Sequence, residues 1–525
     1  MASEEDEKRA ERLRRARDLA ASRGFAPSGA APAPSVPAVP TKAAKPPSAE
    51  NSADRLGLMD IIVGLFKPKP PPPTATAQQP QGAEAPSFTV LVAALAGDAD
   101  GSAATFLNQA LAARSALKVK ALGKVFQLDN LEDPSLVSSV VLNTRHAVAE
   151  EDAELMVWGD FGKDGYRLRL ATATADDERA AAFGPATRIE LPKEFGEPTA
   201  NLLFAAVLAA IDPSTDAQKA ASRRLLPAAA AAAEALALRP PVQLTMPQQR
   251  SVQLVFGHVA TATAVASLAE DAKPWFEKAI NAYRQAQRRL GRTDPTWEAG
   301  LLHKHIAAVI AAKAEREKDG AALWEEAIKE WRLAVENLPR ALMPQEWASA
   351  QVKLGGGLFR LDLLTGQTEL LREALQALQA TLQVYSRTET PQRWAEIMNT
   401  IAQVLEVYGD QMKNTDVLQR AVDACHSVLE IRTRERTPLA WAATQNTLGS
   451  ALFMLDRHSN GGGHLAEAEE ALGGALEVFQ AHGAKGPAKV AARNLSHVRK
   501  MMETRKSRGG VDPHWLDDDP GEGRR

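Results

Sequence analysis

"TPLAWAATQNTLGSALFML", Thr437 to Leu455, returns as "TPQRWAEIMNTIAQVLEVY" from Thr390 and as "MPQEWASAQVKLGGGLFRL" from Met343. Pro344, Pro391 and Pro438 stand 47 residues apart, and so do Trp347, Trp394 and Trp441. A fixed period of this size marks stacked supersecondary units, because each unit buries its apolar face only against the next. A second register follows each of these stretches. Alanines at 279, 327, 374, 421 and 468 are each followed four residues on by a larger side chain: Tyr283, Trp331, Leu378, Cys425 and Leu472. Nineteen residues before each alanine stands a small residue: Ala260, Ala308, Gly355, Ala402 and Gly449. Two helices approach closely where one presents only a hydrogen or a methyl, and a large neighbour then fills the space beside the contact. The pattern therefore predicts five helix pairs over 246–503, closed by a capping helix, "PAKVAARNLSHVRKMMETRK".

The combination of "TLGSAL" in a first helix with "AEEALGGA" in a second resembles the tetratricopeptide repeat of bacterial proteins. The period is longer than the family's usual residue count of about 34, because the hairpin loops, such as Asp456 to Leu465, and the turns between repeats are extended. The resemblance implies an all-α superhelix whose first helices form a concave, peptide-binding wall. Positions three before and one, four and five after the small residue carry that role. Here they are Asn399, Gln403, Glu406 and Val407, then Asn446, Ser450, Phe453 and Met454, and in the preceding repeat Gly356, Phe359 and Arg360. Amides suit hydrogen bonding to a peptide, and Phe and Met suit adaptable apolar contact. Some family members grip a terminal carboxylate with Lys and Asn. Asn399 and Asn446 occupy the Lys position here, and Gln403 and Ser450 the Asn position, which favours an internal segment as ligand.

The same register accounts for several residues that look chemical in isolation. Cys425, the one cysteine of the chain, takes the place of Tyr283 and Trp331 and reads as core, not as a nucleophile. The recurrent tryptophans read as packing between repeats. Gly355 to Gly357 fall at a close-packing site, and no Lys-Ser/Thr follows them as a phosphate loop requires. His303 and His305 are two apart on a helix and so point to different faces, which does not suit a shared metal. No catalytic, cofactor or metal motif emerges, and the expectation is a protein without enzymatic activity.

Ahead of the array, residues 87–212 alternate strand and helix signals: "FTVLVAAL", "AATFLNQALAARSA", "LKVKAL", "PSLVSSVVLNTRHAVAEED", two strands about the turn "GKDG", "ATRIEL" and "PTANLLFAAVLAAID". This is a small α/β domain, weakly similar to domains that precede tetratricopeptide arrays in bacterial proteins. Asp98 and Asp100 after its first strand offer two carboxylates to a cation, but Asp100 and Ser102 suit the cap of the next helix better, and with Trp158 to Asp160 the two aspartates mark where a ligand-sensing or enzymatic alternative would place its site. Residues 213–245, rich in alanine, read as a connecting helix that Pro227 kinks or restarts. Residues 1–86 read as a disordered tail with a charged helix at 3–22, because Pro, Ala and Ser leave little to bury.

Within that tail "RLGLMDIIVGLF" places Leu58, Ile61, Ile62, Leu65 and Phe66 on one helical face within 55–67. The face is a docking motif for a partner, for this chain's own array, or for a membrane surface as a peripheral anchor. Trp515 and Leu516, beside three aspartates in the acidic tail 504–525, form a second motif. The net charge of −3 gives no general drive toward nucleic acid or anionic lipid. The amino terminus is too acidic for a secretory signal, which points to the cytoplasm. The expected function is an adaptor that binds protein segments, with no cofactor.

Overall fold

The computed structural model describes residues 88–509 apart from 174–178, 214, 318 and 460–462. The helix expected at 3–22, the docking motif at 55–67 and the Trp515-Leu516 motif lie outside the described residues. A small strand-containing domain precedes a long, all-helical repeat array.

Five strands form one sheet in the order β2-β1-β3-β4-β5: β1 (Phe88–Ala94), β2 (Leu117–Val125), β3 (Leu155–Gly162), β4 (Gly165–Thr172) and β5 (Ile189–Leu191). The first three run parallel, and β4 and β5 are antiparallel additions. Helices α1 (Ser102–Ala112), α2 (Pro134–Glu150) and α3 (Glu197–Ala210) complete the domain. Side chains alternate across a strand, so β1 feeds two cores. Phe88, Val90 and Val92 join the main core with Leu107, while Leu91 and Ala93 pack with Met156, Trp158, Val137 and Val148. This double burial is why β1 reads as an unbroken apolar run. The β3–β4 turn requires Gly165, whose φ is 110° and where a Cβ would lie 2.2 Å from the Leu191 carbonyl oxygen.

Asp98 and Asp100 cap α1. Both Asp98 oxygens accept backbone N–H groups, from Ala103 at 3.2 Å and Ala104 at 2.9 Å, and Asp100 accepts that of Ser102 at 3.0 Å. These bonds hold the Asp100 carboxyl below its ordinary range, with Ser102 the main cause.

Helix α4 (Asp216–Leu238) is the connecting helix expected here and contains Pro227, so of the kink or restart expected at that residue the helix does not restart. It is no free spacer either. Leu226, Ala230, Ala233 and Leu236 are buried in the same continuous core as the sheet and the array. Thr215 and Gln218 close a reciprocal capping box at its start.

The array follows as hairpins α5/α6 (Met246–Ala266, Ala269–Arg288), α7/α8 (Thr296–Ala314, Ala321–Asn337), α9/α10 (Pro344–Thr365, Thr368–Thr381), α11/α12 (Pro391–Met412, Thr415–Leu429) and α13/α14 (Pro438–His458, Leu465–Ala481), then α15 (Lys485–Gly509). All five leading alanines of the second helices are fully buried. Of the small residues expected in the first helices, Ala260, Gly355, Ala402 and Gly449 are buried, but Ala308 is half-exposed and Ala307 is buried instead. The second hairpin is therefore one residue out of register: 47 residues separate Ala260 from Ala307, and 48 separate Ala307 from Gly355. Cys425 is buried, and burial pushes its thiol well above the usual range.

Candidate functional site

The residues expected to line an open wall converge, but as a buried seam between successive first helices. Asn399, Gln403, Glu406 and Val407 of α11 and Asn446, Ser450 and Met454 of α13 are all buried, as is Phe359 of α9, whereas Phe453 and Arg360 are half-buried. The repeat sets equivalent positions of neighbouring first helices side by side, and Gln403, Glu406 and Asn446 each bond to the helix that follows in the seam. Gln403 Nε2 donates to Thr447 Oγ1 at 3.4 Å, Ser450 Oγ donates to a Glu406 carboxyl oxygen, and Asn494 Nδ2 of α15 donates to Asn446 Oδ1 at 3.4 Å. Asn399 Oδ1 and Gln403 Oε1 have no donor among the described residues. Burial pushes the Glu406 carboxyl up to about 8, against the opposing effect of the Ser450 bond and with a smaller contribution from Asp410. Arg360 lies over the Trp324 ring, 5.9 Å from its centroid.

Continuity along the array comes from further bonds at the same spacing. Arg340, Arg387 and Arg434 lie over Trp347, Trp394 and Trp441 at 5.2, 5.4 and 5.7 Å. Each pair belongs to a turn of pattern Arg-x3-Pro-x2-Trp, which clamps one hairpin to the next. The turn before α7 lacks that arginine: Gly291 stands four residues before Pro295. Its tryptophan, Trp297, is instead covered by Arg188 from the α/β domain, 5.6 Å from the ring centroid.

That substitution belongs to a larger contact. The segment 181–191, irregular up to strand β5, lies along first helices α5, α7 and α9. The Phe183 ring stacks on His258 with centroids 4.5 Å apart, and His258 in turn meets His305 at 4.4 Å. Ala186 packs with Leu301, Ala334, Leu338, Met343 and Ala350. Glu190 N–H donates to Ser251 Oγ at 2.8 Å, and Gln248 Nε2 donates to the Asp164 carbonyl at 2.9 Å. Gln345 Nε2 of α9 reaches Ser138 Oγ of α2 at 2.9 Å. Burial drives His258 down to about 3, so it is a neutral ring in an aromatic stack. His303 faces elsewhere, with Nδ1 2.6 Å from Glu330 and Nε2 2.9 Å from Gln287, as the two-residue spacing predicts.

The array thus already holds a chain segment against its first helices, and that segment is its own. Sequence reasoning missed Phe183, Arg188 and Glu190, because "FGPATRIEL" has no period and only its last residues carry a strand signal. The one available sign was the missing arginine before Trp297. We expect Arg188→Ala to cost about 0.5–1 kcal/mol, the range for a cation over an aromatic face. Faster hydrogen exchange at the Glu190 amide, with the rest of the array unchanged, is the measurement that checks it.

After Ala186 the segment turns back, with Glu190 bonded to Ser251 of α5, and α9 offers an accessible stretch next to Ala350. Gln351, Val352, Lys353 and Gly356 are half-exposed. A Cβ at Gly356 would meet nothing within 4 Å. Among the described residues no group of His, Cys, Asp and Glu is arranged to hold a metal ion, and no helix is long and apolar enough to cross a membrane.

No protein family matches this chain, and no curated protein does. Among solved structures it is similar to a circular tandem repeat protein with novel repeat topology, at 14% identity and a TM-score of 0.25, covering 59% of this chain and 86% of the other. It is also similar to a Rap protein complexed with competence and sporulation factor, at 13% identity and a TM-score of 0.19, covering 59% and 89%.

Proposed function

We propose that this protein is an adaptor of tetratricopeptide type that holds segments of partner proteins against its first helices. The observation that carries the reading is the seating of residues 181–191 on α5 and α7 through a ring contact, a stacked guanidinium and a backbone hydrogen bond, and on α9 through the packing of Ala186. A surface that binds an irregular segment of its own chain has the chemistry to bind another. The partner's place is the continuation of that surface on α9, at Gln351, Val352 and Gly356. The Asn399 to Ser450 seam supplies the stiffness of the following hairpins, since buried polar pairs fix the register of neighbouring helices.

Gly356→Arg tests this with little disturbance, because the added side chain enters open space. Affinity capture with the full chain and with this variant, at equal melting temperature, should show loss of a specific set of proteins. Recovery of the same proteins at the same yield removes α9 as the binding surface.

A further inference from the structure

A cavity of about 70 Å³ lies where the segment 186–190 meets the amino-terminal halves of α5 and α7. The three stretches that line it fall within 179–213 and 215–317, which are described without a break. Leu254, Leu301 and Trp297 give it apolar walls, while Arg188, Glu190 and Glu298 bring charge of both signs to it. Side chains alternate along an extended segment, so Arg188 and Glu190 share a face while Ile189 between them enters the main core. Neither of these charges is met. Arg188 lies over the Trp297 ring, Glu190 reaches Ser251 only through its backbone N–H, and neither side chain forms an ion pair among the described residues. On the opposite wall Glu298 pairs with Arg250, but that guanidinium is shared with Asp294, 3.1 Å away. Burial raises the Glu298 carboxyl above its ordinary range against the opposing effect of Arg250, with smaller upward contributions from Asp294 and Glu190 and a smaller downward one from Arg188. A positive charge between Glu190 and Glu298 is therefore favourable, as a negative one is beside Arg188.

We propose that this cavity is a binding site for a small zwitterion of α-amino-acid type, whose carboxylate meets Arg188 and whose ammonium group meets Glu190 and Glu298. The backbones of residues 188 and 190 stand about 6–7 Å apart on one face, a separation that a ligand carrying both signs bridges and a simple ion does not. A guanidinium takes a carboxylate in a two-pronged fork, which suits Arg188 to that end of the ligand. The size limits the side chain. At about 10–15 Å³ for each water-sized position, the cavity holds roughly five to seven, the scale of glycine or alanine. The walls of Leu254 and Leu301 accept a hydrogen or a methyl group and penalise a charged one.

Occupation would be felt where the segment docks. The ligand would join Arg188 and Glu190 of the segment to Glu298 of α7, beside the bond from Glu190 N–H to Ser251 of α5. It would thus hold the α/β domain more firmly on the array. This is a task separate from partner binding on α9, and either can fail without the other.

The test titrates L-alanine into the full chain by calorimetry, with acetate and ethylamine, the two halves of the zwitterion, at matched ionic strength. Osmolytes such as amino acids stabilise proteins weakly by exclusion from their surface, so saturable heat and not melting temperature decides. Glu190→Gln removes the carboxylate and keeps the backbone bond to Ser251, and Arg188→Gln removes the fork. Both side chains are half-buried, so neither change opens a hole in the core. The expected result is saturable binding of L-alanine, tighter than that of either half and weakened about tenfold by each variant through loss of a charge-assisted bond. The proposal is overturned if L-alanine binds no more tightly than acetate or ethylamine, or if either variant binds it as the parent chain does.

Discussion

Gly356→Ala should raise the stability of this protein, whereas the same change at Gly355 or Gly357 should lower it. The three glycines are adjacent in the interior of α9, where glycine costs about 0.5–1 kcal/mol relative to alanine through backbone entropy alone. At Gly356 nothing opposes that gain, since no atom lies within 4 Å of the new methyl. At Gly355 a Cβ would sit 2.7 Å from Leu378 Cγ and 3.1 Å from the Ala374 carbonyl oxygen. At Gly357 it would sit 2.6 Å from Cζ3 of Trp331, which is itself buried between α8 and α9. Overpacking of this kind costs about 1–3 kcal/mol, which exceeds the helical gain and leaves a net loss of about 1–2 kcal/mol after the propensity term is subtracted. Urea midpoints of the three variants check the signs. If all three move the same way, helix propensity and not close packing governs this stretch.

Glu406→Gln should stabilise the protein, and by an amount that grows with pH. A carboxyl held near 8 when folded and near its ordinary value of 4.5 when unfolded binds a proton more tightly in the folded state. Its contribution is fully present below about pH 4.5 and is lost as pH rises toward the folded value. At pH 7 the parent chain has lost about 3 kcal/mol by this route, taking 1.36 kcal/mol per pH unit between the two values as the scale. Glutamine keeps the shape and the bond to Ser450 without the ionisation. Urea midpoints of parent and variant should therefore coincide near pH 4.5 and separate toward pH 8, and parallel profiles would show that Glu406 is ionised in the fold.

The same two residues show how much was legible beforehand. Gly355 and its equivalents were found as close-packing positions from spacing alone, because a residue's distance along one helix fixes its face. That rule also gave the hairpins, the burial of Cys425 and the separation of His303 from His305. It failed by one residue at Ala308, where a longer loop shifted the frame and spacing from the second helix no longer applied. It could not assign exposure. Asn399, Gln403, Glu406 and Asn446 were expected on an open wall, yet all four are buried, and Gln403, Glu406 and Asn446 bond to the helix that follows in the seam.

What the sequence by itself determined is the repeat: which residues are helical, which pairs of helices pack, and which side chains meet within a hairpin. Those properties depend on spacing within a few turns of one chain. Only the tertiary structure decided how tightly successive hairpins stack, and that an unpatterned stretch from Ala181 to Leu191 occupies the first three of them. Both depend on contacts between residues as far apart as Ser138 and Gln345, and for such contacts a single sequence carries no period to read.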